Sequence, residues 1–378
     1  MTNLHDTLKA HVDSGSVPGA VGLVARGDRI EVQVVGSVDV EGTAPMERDS
    51  IFRIASITKP IIAAAVMTLV DDGVIALDDP IGRWLPELKS PTVVRTPEGP
   101  VDDVVPAARP ITVADLLTFR AGYGFPADFS LPAVQLLFSD LAQGAPQPDR
   151  VAAPDEWLAK LSRIPMLRQP GEAWLYNTCS DIQGVLIARV SGRPLPEFLA
   201  ERLFAPLGMV DTGFHVPAAE LGRLTSYYQP DPAGGIKLVD APVGQWCKRP
   251  AFPSGGGGMV STVDDLHAFT RMLLADGQGV LSAESVRQMT TDQLTPAQRE
   301  ASALFLEGQG WGFGGSVDIA AIDPWNVPGR YGWVGGSGAT MHITPSTGAA
   351  AIVLSQTSMT NPSPNALMRD FWRCAAAS

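Results

Sequence analysis

The apolar positions along the chain change period four times. Leu4, Leu8 and Val12 recur at helical spacing, so residues 4–12 predict a short amphipathic helix, ended by Ser16-Val17-Pro18-Gly19. Residues 20–25 form a short apolar run, Gly27-Asp28 breaks it, and residues 30–36 return with alternation, which predicts a β-hairpin. A longer apolar block follows from Pro60 to Val70. It predicts a buried helix that starts near Ser56, keeps Pro60 in its first turn, and stops at Asp71-Asp72-Gly73. Prolines 80, 86, 91, 97, 100, 106 and 110 then cut the chain into loops. Helical patterns recur at residues 112–118, with Thr112 as N-cap, and at 133–141, 154–161, 181–190 and 196–203. From Ile61 to about Pro250 there is little strand pattern. After the glycine run 255–258, residues 263–269 open another helix, residues 340–344 and 349–356 read as strands, and residues 365–372 close as an amphipathic helix.

Strands at both ends and helices between them predict an α/β domain plus an all-α one. One antiparallel sheet would be built from the two termini and flanked by helices, since hairpins need no crossover. On this reading residues 1–65 and 250–378 form the sheet domain and residues 66–249 a helical, loop-rich insertion. The active site would lie between them, where pockets prefer to form. The length of 378 residues fits about two domains.

Composition narrows the function classes. The chain is 45% hydrophobic and 18% charged, and its formal net charge of -12 speaks against a nucleic-acid partner. No apolar run reaches the roughly 20 residues of a membrane span, and no basic run suits a membrane surface. The first residues lack a basic start and an apolar core, so a cytoplasmic protein is expected. Cys179, Cys247 and Cys374 are scattered and odd in number, which reads as reduced thiols. No Cys or His spacing looks like a metal site, and no cofactor is expected.

Candidate chemistry centres on Ser56 and Lys59. Three positions apart on a helix, they share a face, and the helix N-terminus favours a developing negative charge at Ser56. Apolar neighbours should lower the Lys59 pKa, and a serine beside a partly deprotonated amine is an activated nucleophile. A Ser-x-x-Lys pair alone also fits an ordinary solvated helix face. The five histidines, His5, His11, His215, His267 and His342, sit in no active-site context, and no Gly-x-Ser-x-Gly is present. Tyr176, after the Pro170-Gly171 turn, is the candidate proton carrier. Beside an ammonium its phenol should become more acidic, so that phenolate takes the serine proton. Gly335-Gly336-Ser337-Gly338 offers backbone N–H groups, and those of Ser56 and Gly336 would form an oxyanion hole. A buried tyrosine and a glycine-rich bend are the plainer readings of these two stretches.

Together the stretches resemble the serine β-lactamase-like superfamily, in the branch of class C β-lactamases, D-alanyl-D-alanine peptidases and family VIII carboxylesterases. The likeness rests on Phe52-Arg53-Ile54-Ala55-Ser56-Ile57-Thr58-Lys59, on Ile111 to Thr118 with Ala121-Gly122, on Pro170-Gly171 to Tyr176, on Gly256 to Leu266, and on Trp333-Val334-Gly335. It implies that Ser56 is acylated, that Lys59 and Tyr176 move its proton, and that Ser56 and Gly336 hold the oxyanion. Two departures matter. Trp333-Val334-Gly335 stands where many members have Lys-Thr-Gly, so the cation that binds a substrate carboxylate is lost and apolar area replaces it. Thr178 stands where the family has a substrate-binding asparagine, with Asn177 shifted by one. Trp333, Gly335 and Thr178 are therefore the expected substrate contacts. The expected function is a serine carboxylesterase acting on small uncharged esters. An acyltransferase sharing the acyl-enzyme, a β-lactamase or D-amino-acid peptidase, and a non-catalytic ligand sensor are the alternatives.

Overall fold

The computed structural model describes residues 3–377. Helix α1 (Leu4–Asp13) leads into the hairpin β1 (Gly19–Arg26) and β2 (Arg29–Gly36). Helix α2 (Thr58–Asp71) carries Lys59, and α3 (Thr178–Ser191) follows Tyr176 and Asn177. After α4 (Val263–Leu274) come β3 (Gly310–Trp311), β4 (Ser316–Val317), β5 (Tyr331–Gly335), β6 (Ala339–Thr344) and β7 (Ala349–Ser355). Helix α5 (Ala366–Ala377) ends the described chain.

These strands make one seven-stranded antiparallel sheet in the order β2-β1-β7-β6-β5-β4-β3. The first and last strands of the chain meet side by side, with Ala20 opposite Ser355 and Ala25 opposite Ala350. Every residue of β1 from Gly19 to Ala25 is buried, so both faces of the sheet are covered there. Helices α1 and α5 cover one face, and Gly22 is what lets them close in. A Cβ on Gly22 would come within 2.9 Å of Leu8 and 3.5 Å of Phe371. Strand β5 packs against the turn that holds Ser56. One hydrophobic core runs from Leu4 to Ala375 and takes in both α2 and α3.

Three features depart from the sequence expectation. Residues 61–250 do contain strands, in two hairpins: Thr92–Val94 with Val104–Pro106, and Tyr227–Pro230 with Ile236–Asp240. They are three to five residues long, and two of the strands end in proline, so too few positions alternate to register as a period. Helix α3 begins at Thr178, three residues before the expected Asp181. The helix from Leu195 to Leu199 passes into a π-helical turn at Ala200–Phe204 instead of continuing regularly. Among the described residues no helix is long and apolar enough to cross a membrane.

Candidate active site

Ser56 sits in a single 3₁₀ turn, Ala55–Ile57, that leads directly into α2. Ala55 takes φ of 42°, a left-handed conformation that costs a non-glycine residue energy. Such strain persists only where the surroundings impose it. Here β5 imposes it from one side. A Cβ on Gly335 would meet the Ile54 carbonyl oxygen at 2.3 Å, so only glycine lets the strand lie this close. The Ser337 hydroxyl donates to the Arg53 carbonyl at 2.5 Å and pins the same turn. Arg53 itself is buried, forms an ion pair with buried Asp240, and lies over the Trp246 ring.

Lys59 is wholly buried, one helical turn beyond Ser56. Its Nζ lies 2.9 Å from Ser56 Oγ, 2.9 Å from Asn177 Oδ1 and 2.5 Å from the Gly256 carbonyl oxygen. The last two groups only accept hydrogen bonds. A neutral amine has two N–H bonds, which these acceptors use, and its lone pair is then left facing the Ser56 hydroxyl. Burial lowers the Lys59 pKa to about 7, against the opposing pull of the Asp181 carboxyl. At neutral pH a large share of this lysine is the free amine.

Tyr176 completes the group. Its hydroxyl hydrogen bonds to Ser56 and accepts the Trp333 indole N–H at 2.7 Å. The Lys59 Nζ lies 4.6 Å from the centre of its ring. The sequence expectation of a more acidic phenol is overturned. Phe119, Trp174, Phe305 and Trp333 surround the ring, and burial pushes the phenol up to about 12, which the bonds from Ser56 and Trp333 only partly offset. Tyr176 is therefore a protonated donor at neutral pH, and Lys59 is the group poised to accept.

The remaining candidates divide. Gly336 is exposed at the tip of the β5–β6 turn and lines the cavity above Ser56. Trp333 lines it too, but its indole N–H is committed to Tyr176, so it positions the phenol as well as offering apolar surface. Changing Trp333 to phenylalanine should lower kcat about ten-fold with little change in KM, since one hydrogen bond to the phenol is lost and the ring is kept. Steady-state kinetics on the variant checks this. Gly335 is buried against Ile54 and does not reach the cavity. Thr178 is also buried, and its hydroxyl donates to Gln143 Oε1 at 2.6 Å. Thr178, expected as a substrate contact, does not line the cavity; its neighbour Asn177 does, and accepts a hydrogen bond from Lys59.

The sequence marks Asn177 only as a shifted motif residue, because its placement on Lys59 is a backbone event. It takes φ 80° and ψ -66° at the centre of a γ-turn, closed by the Thr178 N–H donating to the Tyr176 carbonyl at 3.2 Å. That strained turn aims Tyr176 and Asn177 at the same lysine. Strained residues thus flank both halves of the site, Ala55 beside the serine and Asn177 beside the tyrosine.

The cavity over Ser56 has a volume of about 770 Å³. One wall is aromatic, with Phe125, Phe129 and Phe138 packed on one another and Phe129 on Phe305. Tyr227, Trp246 and Phe252 line another part. Among the described residues no arginine, lysine or histidine lines it, Lys59 lying beneath the surface. Among the described residues no group of three or more His, Cys, Asp or Glu side chains is placed to hold a metal ion.

Known proteins share this architecture. The solved structure of EstCE1, described as a hydrolase with promiscuous acyltransferase activity, superposes with a TM-score of 0.81 at 24% identity, over 99% of this chain and 97% of that one. Together with the family match over residues 4–371, this makes the fold β-lactamase/transpeptidase-like. Protein Rv1367c of Mycobacterium tuberculosis is 38% identical over 357 residues, which cover 91% of this chain and 87% of the relative. Esterase EstB of Burkholderia gladioli is 32% identical over 363 residues, 90% of this chain and 86% of the relative. The family model described as Beta-lactamase matches residues 4–371. By that match, across almost the whole sequence, the chain belongs to the beta-lactamase family.

Proposed function

We propose that the protein is a serine carboxylesterase whose Ser56 is transiently acylated. The observation that carries this reading is the Lys59 amine, buried, 2.9 Å from Ser56 Oγ, with two pure acceptors on its other sides. In acylation, Ser56 Oγ attacks the ester carbonyl and Lys59 takes the hydroxyl proton. The backbone N–H groups of Ser56 and Gly336 hold the negative oxygen of the tetrahedral intermediate. As the C–O bond breaks, Tyr176 gives its proton to the leaving alkoxide and recovers one from the Lys59 ammonium. Water then attacks the acyl group with Lys59 again taking a proton, and Ser56 regains its hydroxyl.

The lining favours an uncharged ester. With no cation in the cavity wall, a substrate carboxylate would be buried without a partner, as the loss of the third-motif lysine already implied. The cavity is also roomier than a small ester fills, so the substrate class widens to esters with a bulky apolar part. EstB, a relative by sequence, bears the name of an esterase, in keeping with this reading.

Acyl transfer is the second reading. A cavity of about 770 Å³ has room for an acyl group and an alcohol together, and the alcohol would replace water in the second half of the reaction. The test is turnover of p-nitrophenyl acetate and p-nitrophenyl 2-naphthoate, each with and without added butanol. The proposal expects hydrolysis of both and a higher kcat/KM for the naphthoate. Butyl ester as the main product would make the protein a transferase, and no turnover of either ester would contradict the proposal.

A further inference from the structure

The base proposed above is itself held from behind. Gly256, whose carbonyl receives the Lys59 amine, donates its own N–H to Asp181 Oδ1 at 2.9 Å. Ser254 Oγ donates to the same oxygen at 2.7 Å, and Gln143 Nε2 donates to Asp181 Oδ2 at 3.1 Å. Gln143 is oriented in turn by the Thr178 hydroxyl. Asp181 is 4% exposed and lies in the first turn of α3, where the helix end favours an acceptor of electron-rich character. A buried carboxyl costs stability unless its oxygens are satisfied, and here both are occupied by donors from two separate loops.

We infer that Asp181 is a positioning residue for the proposed reaction, fixing the Gly256 backbone so that its carbonyl holds the Lys59 amine against Ser56. The inference rests on Lys59 acting as the base. Gly256 is closely packed against the same groups: a Cβ there would meet Asn177 Oδ1 at 3.1 Å and both Asp181 oxygens at 3.2 Å. Three parts of the chain, the loop before α4, the start of α3 and the residue 143 loop, converge on this one carboxyl. Burial pushes the Asp181 pKa up, while the bonds from Ser254 and Gly256 and the Lys59 charge pull it down. In either protonation state one oxygen remains to accept the Gly256 N–H, so the positioning role is a matter of shape.

That distinction sets the test. Asp181→Asn keeps an oxygen facing Gly256 and Ser254, Asp181→Ala removes it, and Asp181→Glu keeps the acid but moves it by one methylene. Kinetics with p-nitrophenyl acetate, the rate of fluorophosphonate labelling of Ser56, and thermal unfolding are measured for each, with Lys59→Ala alongside. The expected result is a kcat and labelling rate lowered roughly 10- to 100-fold in Asp181→Ala and Asp181→Glu, since a small displacement of a reacting group is costly. KM should change little, and Asp181→Asn should stay within about three-fold of wild type. Wild-type kcat in Asp181→Ala, or Asp181→Asn as slow as Asp181→Glu, overturns the inference. Should Asp181→Ala not fold, the contrast between the asparagine and glutamate variants decides. If Lys59→Ala is inactive while the Asp181 variants are not, the inference alone fails. If Lys59→Ala is fully active, the proposed base fails and takes the inference with it.

Discussion

Replacing Ser56 by alanine is expected to lower ester turnover by at least about 10³-fold and to abolish fluorophosphonate labelling. The loss is large because the proposed chemistry has no other path. Removing the hydroxyl removes the atom that hydrogen bonds to both Lys59 and Tyr176, and among the described residues no histidine lines the cavity to replace it. The backbone groups that would hold the oxyanion stay in place, so a small residual rate above the uncatalysed one should remain. Folding should survive. Ser56 is half-buried, its neighbours keep their other partners, and a change this small at such a site is worth about 1 kcal/mol or less. Kinetics and labelling on folded Ser56→Ala protein, with unfolding as the control, check each part. Wild-type turnover by this variant would sink the nucleophile assignment.

The second large effect is on pH dependence. Only the free amine of Lys59 can accept the serine proton, and burial places its pKa at about 7. Below that pH the amine is charged and has no lone pair; above it the lone pair is available. Activity therefore rises with pH, with kcat/KM for an uncharged ester increasing ten-fold per pH unit on the acid side and levelling above about 7. Tyr176 remains protonated up to about 12, so no alkaline fall from the phenol is expected within an ordinary assay range. Lys59→Arg should lose about 10²- to 10⁴-fold in kcat at all pH values and show no such limb, because a guanidinium does not deprotonate. A phenolate base would give a different profile, with activity still climbing toward strongly alkaline pH. Measuring kcat/KM for an uncharged ester from about pH 5 to about pH 10 separates the two.

The part of the site written in local sequence is legible, and the part made by backbone geometry is not. Ser56 and Lys59 share a helix face by spacing alone, and the apolar block after them announces a buried lysine. The terminal strands show their alternation or apolar runs, so the sheet joining both ends of the chain is readable too. Asn177 is different: nothing in Tyr-Asn-Thr signals a γ-turn that swings its amide onto Lys59. The Gly256 carbonyl is a main-chain group and leaves no residue signature. Asp181 shows in the sequence only as an acid in the first turn of a helix, which the helix end alone would explain. Trp333 was read as apolar surface because its indole N–H finds Tyr176 only through the sheet register. The error over the Tyr176 phenol has the same origin. A neighbouring ammonium is visible in the motif, whereas three of the four aromatic residues around the phenol, Phe119, Phe305 and Trp333, come from three separate places in the chain.

The acyl-enzyme itself is the point on which the account stands or falls. Protein mixed with p-nitrophenyl 2-naphthoate and quenched in acid within the first turnover should gain the mass of one naphthoyl group, and digestion should place it on the peptide containing Ser56, with no adduct in Ser56→Ala. Steady ester hydrolysis with no adduct on that peptide, or with the acyl group on another residue, would contradict it.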